Sequence, residues 1–201
     1  MMKHLPKTLI YSRLFIGILI LLLSALRIDN YKTIAVILFA VGLLTDIFDG
    51  IIARHLKIST QNLRRLDSTI DQIFFIMVAL ATFIECPHFF YANKMKLIIL
   101  SGIEGLTYLI CFMKFKKEIA THTISSKIWT LILFATLIQI MTTCNSTTLF
   151  QICFYVGFIT RLEIIGIILI LRNWTKDVPG IYQAVLLRQG KAIKRHKLFN
   201  G

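Results

Sequence analysis

The sequence predicts an all-α integral membrane protein with six transmembrane helices and both termini in the cytoplasm. Three observations carry this expectation. Apolar residues make up 56% of the 201 residues and the mean hydropathy is +0.73, more than a soluble domain of this length needs. Apolar runs long enough to cross a bilayer recur along the chain. The Lys and Arg residues are distributed unevenly between the two ends of those runs, which sets an orientation.

The first run, 8–27, follows the basic segment KHLPK and ends LLLSALR. A secretory signal has a similar local look, but five further runs favour a permanent first helix. The second run, 31–50, contains KTIAVILFAVGLL and closes on Asp46 and Asp49. The third, 70–90, contains IFFIMVALATFI; the fourth, fifth and sixth are 95–115, 126–144 and 149–172. The outer connections IDN, PHFFYANK and CNSTT are short, and KKEIATHTISS links the fourth and fifth runs inside. After Trp174 the chain is interrupted at Pro179-Gly180, a turn signal. The segment beyond this turn reads either as a short interfacial helix with a basic end or as a disordered basic tail. The expected organisation is a six-helix membrane domain over 1–173 and a basic cytoplasmic tail over 174–201, without repeats or low-complexity segments.

A net charge of +13 could suggest nucleic acid, but its placement argues for a membrane surface. With the N-terminus inside, 17 of the 23 Lys and Arg fall on the cytoplasmic side, from Lys3 and Lys7 to Lys194, Arg195 and Lys197. Arg27, Lys32, Lys94 and Lys96 fall outside, and Arg13 and Arg161 lie within spans. Such a basic face attracts anionic lipid heads, and nucleic acid is not an expected partner. Cys86, Cys111, Cys144 and Cys153 show no metal-type spacing and lie in or beside apolar runs. They read as packing residues, not as a disulfide or zinc set. Asn145-Ser146-Thr147 fits a glycosylation pattern but reads better as a polar turn. His55, His88 and His122 read as solvated.

Four of the ten acidic residues, Asp46, Asp49, Asp67 and Asp71, fall within 26 positions at the edge of the membrane. A carboxylate near hydrocarbon is costly, by at least about 2.5 kcal/mol at a helix centre, and so usually has a partner or a task. Four together repel unless cations sit between them. Spacings of three and four put each pair on one helical face, the first closing the second span and the second opening the third. Hard oxygen ligands in this number suit Mg²⁺ or Mn²⁺, and two such ions suit phosphoryl transfer. Small residues Gly50 and Ala53 would let a bulky ligand approach, and Arg54 adds a cation suited to phosphate. Glu104 and Glu163 join Arg161 as further intramembrane charges. Arg161 reads as an ion-pair partner within the bundle or as an acceptor contact.

The spacing D-x2-D-G-x2-A-R, then eight residues, then Leu63-x3-D-x3-D resembles the CDP-alcohol phosphatidyltransferase signature D-x2-D-G-x2-A-R-x8-G-x3-D-x3-D. Asp46, Asp49, Gly50, Ala53, Arg54, Asp67 and Asp71 match by type and position; Leu63 stands where the family has glycine. That leucine implies a narrower cleft, a shifted helix start, or a differently shaped acceptor site. Pro6 and Arg13 resemble the P-N-x-L-T-x2-R opening of phosphatidylglycerophosphate synthase-like members, with Lys7 and Ile10 departing from it. Lys127 and Thr130 resemble the K-x2-T of that branch.

The resemblance implies a multi-pass enzyme that transfers a phosphatidyl group from CDP-diacylglycerol to an alcohol and releases CMP. Asp46, Asp49 and Asp67 would hold two Mg²⁺ or Mn²⁺ ions, with Asp71 a further ligand and the general base. Asp49, Gly50, Ala53 and Arg54 would cradle the cytidine diphosphate, and Lys127 and Arg161 are acceptor-binding candidates. Glycerol 3-phosphate is the first choice of acceptor, with serine, inositol phosphate or another acceptor as alternatives. A homodimer in a bacterial plasma membrane, with its site facing the cytoplasm, is the implied setting. An intramembrane prenyltransferase would keep its two Asp motifs farther apart in the chain. A divalent-cation transporter would place carboxylates near the bilayer midplane.

Overall fold

The structure is a computed structural model that describes residues 5–26, 30–55, 60–119, 121 and 123–193; the side chains of 53–55, 61, 62 and 64 lie outside that description. Among the described residues there are eight helices and no strand. They are α1 (Leu5–Ala25), α2 (Tyr31–His55), α3 (Gln61–Glu85), α4 (Pro87–Ala92), α5 (Lys94–Phe115), α6 (Ile124–Thr143), α7 (Thr147–Ile170) and α8 (Ile181–Arg188). All but α4 and α8 are long and apolar enough to span a bilayer, six in number. Their apolar side chains stay largely on the outside: Phe15, Ile37 and Met113 are more than half exposed. In a soluble protein so much exposed apolar surface would drive association; here lipid covers it.

The third span differs from its expected limits of 70–90. Helix α3 begins at Gln61 because the Thr60 Oγ1 accepts from the Leu63 N–H at 3.2 Å, an N-cap. It ends at Glu85, since Pro87 cannot continue the ladder, and PHFFYA forms the separate short helix α4. This shift gives the second Asp pair a preceding turn of helix to stand on.

The chain divides into two compact units. The first holds α1, α2, α3, most of α4 and the C-terminal part of α6, Leu137–Asn145. The buried residues of α1 are Pro6, Ile10, Arg13, Gly17, Ile20 and Ser24. Their three- and four-residue spacing makes one stripe, and along it α1 packs closely against both α2 and α3. Gly17 is needed for that approach, because a Cβ there would lie 2.9 Å from the Met77 sulfur and 3.1 Å from the Phe74 ring. Gly42 of α2 lies beneath the same Phe74 ring, where a Cβ would clash. Phe74 and Phe75 also meet Phe39, each with ring centroids 5.7 Å apart. Ser24 Oγ donates to the Ala81 carbonyl at 3.0 Å, tying the far end of α1 to α3.

Cys86 and Cys144 form a disulfide, with Cα atoms 5.2 Å apart. This corrects the expectation that all four cysteines serve only packing; Cys111 and Cys153 are free and buried. Cys86 directly follows α3 and Cys144 directly follows α6. The two helix ends meet in the first unit, and a sequence separation of 58 hides that proximity from any local spacing rule.

The second unit holds α5, the N-terminal part of α6, α7 and α8. Helices α5 and α7 pack together around Cys111, Ile164 and Ile168. Lys114 Nζ donates to the carbonyls of Ile168 and Leu169 at 2.9 and 2.8 Å, satisfying the C-terminal end of α7. Trp129 of α6 lies over Gly157 of α7 and donates its Nε1–H to the Cys153 carbonyl at 3.1 Å. The segment after Pro179 is helical through α8, whose Ala184 and Leu187 pack with Ile167, Leu171 and Val178. Helix α8 ends at Arg188, and residues 194–201 lie outside the described residues.

The disulfide should contribute on the order of 2–4 kcal/mol by restricting the unfolded chain. Replacing Cys86 or Cys144 with Ser should lower the detergent-solubilised melting temperature by about 5 °C or more. Thiol alkylation of the denatured, unreduced protein should label two cysteines, Cys111 and Cys153. Labelling of all four, with the two variants melting as wild type, would show that the bond does not form.

Candidate active site and metal centre

Arg13 is the one charged residue on the buried stripe of α1, with its side chain 1% exposed. Helices α2 and α3 flank that stripe, and each presents its Asp pair to the guanidinium. Nη1 bonds Asp46 Oδ1 at 2.7 Å and also Asp71 Oδ1. Nη2 bonds Asp67 Oδ1 at 2.5 Å and also Asp49 Oδ2. The Arg13 Nε is buried with no hydrogen-bond partner among the described residues. All four expected carboxylates therefore converge within the first unit, and α1 brings them together. Helix α1 packs closely on both Asp helices, while α2 and α3 meet through Phe39, Gly42, Phe74 and Phe75.

Exposure separates the four. The Asp49 side chain is 4% exposed, whereas those of Asp46, Asp67 and Asp71 are 38%, 31% and 31% exposed. The cluster is thus closed on the Asp49 side and open on the other, as a site for a soluble ligand must be. One oxygen from each of Asp46, Asp49 and Asp67 lies within 4.8 Å of the others. Oxygen ligands at this separation and in this number fit a hard divalent cation such as Mg²⁺ or Mn²⁺. The donor set present therefore suits the metal expected from the sequence.

Gly50 follows Asp49 on α2 and is half-buried; Ala53 and Arg54 continue the helix, but their side chains lie outside the described residues. Leu63 is 9% exposed and packs with Ile10 and Ile70, flanked by Leu14 and Leu66. It spends its side chain on the α1–α3 contact, one turn before Asp67. Lys127 lies on the first turn of α6 and Arg161 on α7, both in the second unit. Arg161 pairs with Glu104 of α5 and stacks over the Trp129 ring, 4.9 Å from its centroid. Glu163 accepts from the Ser125 hydroxyl.

Sequence reasoning missed Arg13 as a member of the acidic site. Two signals pointed to it: an arginine inside an apolar span, and its place at the end of the P-x6-R opening. Neither locates it among the Asp pairs, because that depends on how α1 rotates about its axis.

A family model described as CDP-alcohol phosphatidyltransferase matches residues 3–175. The chain belongs to this family. Comparison with curated proteins and with solved structures gave no match. As a CDP-alcohol phosphatidyltransferase, the protein is a transferase of phospholipid biosynthesis that moves a phosphatidyl group from a CDP-alcohol to an alcohol acceptor. Divalent-metal dependence belongs to the family, and the match spans α1 through α7.

Replacing Leu63 with Ala should destabilise the protein by about 2–3 kcal/mol, as for a buried leucine. Restoring the family glycine, Leu63→Gly, should cost more, since it adds backbone freedom near the start of α3. Melting curves in detergent check both; unchanged melting in both variants would remove Leu63 from the α1–α3 core.

Proposed function

We propose that this chain transfers the phosphatidyl group of CDP-diacylglycerol to a small polar alcohol, glycerol 3-phosphate being the first choice, and releases CMP. The observation that carries the reading is the convergence of all four motif carboxylates at one point, open to water on one side. Asp46, Asp49 and Asp67 hold the divalent ions, with Asp71 as a further ligand. Bound there, Mg²⁺ or Mn²⁺ offsets the negative charge that grows on the diphosphate as it is cleaved.

Asp71 is the general base. It takes the proton of the acceptor hydroxyl, the freed oxygen forms a bond to the lipid-side phosphorus, and the bond from that phosphorus to the CMP oxygen breaks. Asp49, Gly50, Ala53 and Arg54 receive the cytidine diphosphate, Arg54 as a phosphate-directed cation. Lys127 is the acceptor-phosphate contact; its branch-like K-x2-T spacing supports glycerol 3-phosphate over serine. Arg161 is a secondary acceptor candidate, since Glu104 already neutralises it.

The site faces the cytoplasm of a bacterial plasma membrane in this reading. The Lys and Arg excess at that end supports it. So does the disulfide, which follows α3 at the end opposite Asp67, about 28 Å along the helix axis. Disulfides persist in oxidising compartments, which suits an outer face for Cys86 and Cys144. A six-helix domain over 1–173, a basic tail over 174–201 and a homodimer complete the proposal.

Purified protein given CDP-diacylglycerol and Mg²⁺ or Mn²⁺ should release CMP only when one acceptor of a panel is present. Chelation should abolish release and added metal should restore it. Asp71→Asn should lower turnover by at least about 100-fold, the scale of a lost general base, while CDP-diacylglycerol still binds. CMP release that continues in Asp71→Asn at the wild-type rate would remove Asp71 from that role.

A further inference from the structure

We propose that Arg13 is a resident counter-cation of this site, one that competes with the divalent metal for the same carboxylates. The inference rests on the metal reading given above and goes beyond it. The oxygens that could jointly ligate an ion come from Asp46, Asp49 and Asp67. Asp46 Oδ1, Asp49 Oδ2 and Asp67 Oδ1 are each bonded to Arg13. Nη1 bridges Asp46 and Asp71 while Nη2 bridges Asp49 and Asp67. One planar fork thus holds an oxygen from every member of the cluster.

A Mg²⁺ ion sits about 2.0–2.1 Å from each oxygen, so its ligand oxygens lie no more than about 4.2 Å apart. One oxygen from each of Asp46, Asp49 and Asp67 lies within 4.8 Å of the others, and the guanidinium nitrogens bond an oxygen of each of these carboxylates. An ion that draws in the three carboxylates competes with the Arg13 nitrogens for their negative charge. Among the described residues the buried Arg13 Nε has no partner, so the guanidinium is held there through its two terminal nitrogens. Charge explains why a resident cation is useful. Four carboxylates crowded at the edge of a membrane would repel and spread, and Arg13 keeps them gathered before an ion arrives. The consequence is a metal affinity set lower than the bare carboxylates would give.

The test measures Mn²⁺ binding to the purified full chain by electron paramagnetic resonance, alongside melting temperature with and without Mn²⁺. Arg13→Met removes the charge at similar length; Arg13→Lys keeps the charge and loses the two-pronged fork. Competition predicts that Arg13→Met binds Mn²⁺ at least about tenfold more tightly than wild type, because a neighbouring cation is gone. Arg13→Lys should also bind more tightly than wild type, by less. Arg13→Met should melt below wild type without metal and approach it at saturating Mn²⁺. A purely structural arginine would lower stability in both states and leave affinity unchanged or weaker. Unchanged or weaker Mn²⁺ binding in Arg13→Met overturns the proposal; if that variant does not fold, the same result in Arg13→Lys does so. Binding in wild type with no gain in the variants therefore overturns competition alone. No Mn²⁺ binding in wild type and both variants overturns the metal reading itself.

Discussion

One guanidinium facing four carboxylates is the interaction on which the first unit depends. Arg13 is buried, so its charge needs partners within the protein; the four crowded Asp residues need a cation because they repel one another. Removing the carboxylates leaves the buried guanidinium uncompensated, and removing Arg13 leaves four mutually repelling carboxylates. The rotation of α1, the depth of α2 and the start of α3 must all satisfy this one meeting point.

The rest of the unit serves that convergence. Between membrane helices there is little hydrophobic drive, so close packing and polar contacts hold them together. Gly17 and Gly42 provide the close approach, both beneath the Phe74 ring. Ser24 and the Cys86–Cys144 bond secure the opposite end. The arrangement is anchored covalently and by packing at one end and electrostatically at the other. Leu63 shows the cost of that economy: at a position where the family keeps glycine, this chain uses a leucine to join α1 and α3.

The second unit solves its own problem of intramembrane charge locally. Arg161 has Glu104 as its counter-charge and the Trp129 face as a neighbour. Glu163 has the Ser125 hydroxyl. Lys114 and Trp174 use their polar ends on backbone carbonyls. Each of these charges and polar tips has a partner, which is how helices carrying such residues remain stable in lipid.

The number of spans, the metal-suited acidic window and the family signature were legible in the sequence because each is a local pattern. Apolar length is counted along the chain, and i, i+3 and i, i+4 spacings fix one helical face. The register of Asp46, Asp49, Asp67 and Asp71 needed no tertiary knowledge. The start of α3 was less legible, since the Thr60 cap and the polar turn after it lack an apolar signal. Three features were decided only by the tertiary structure: Arg13 among the Asp pairs, the Cys86–Cys144 bond, and Leu63 in the α1–α3 core. Each joins residues far apart in sequence through the rotation and end-to-end alignment of whole helices. Those quantities are set by how glycines and rings interlock across helices, and no spacing within a single helix encodes them.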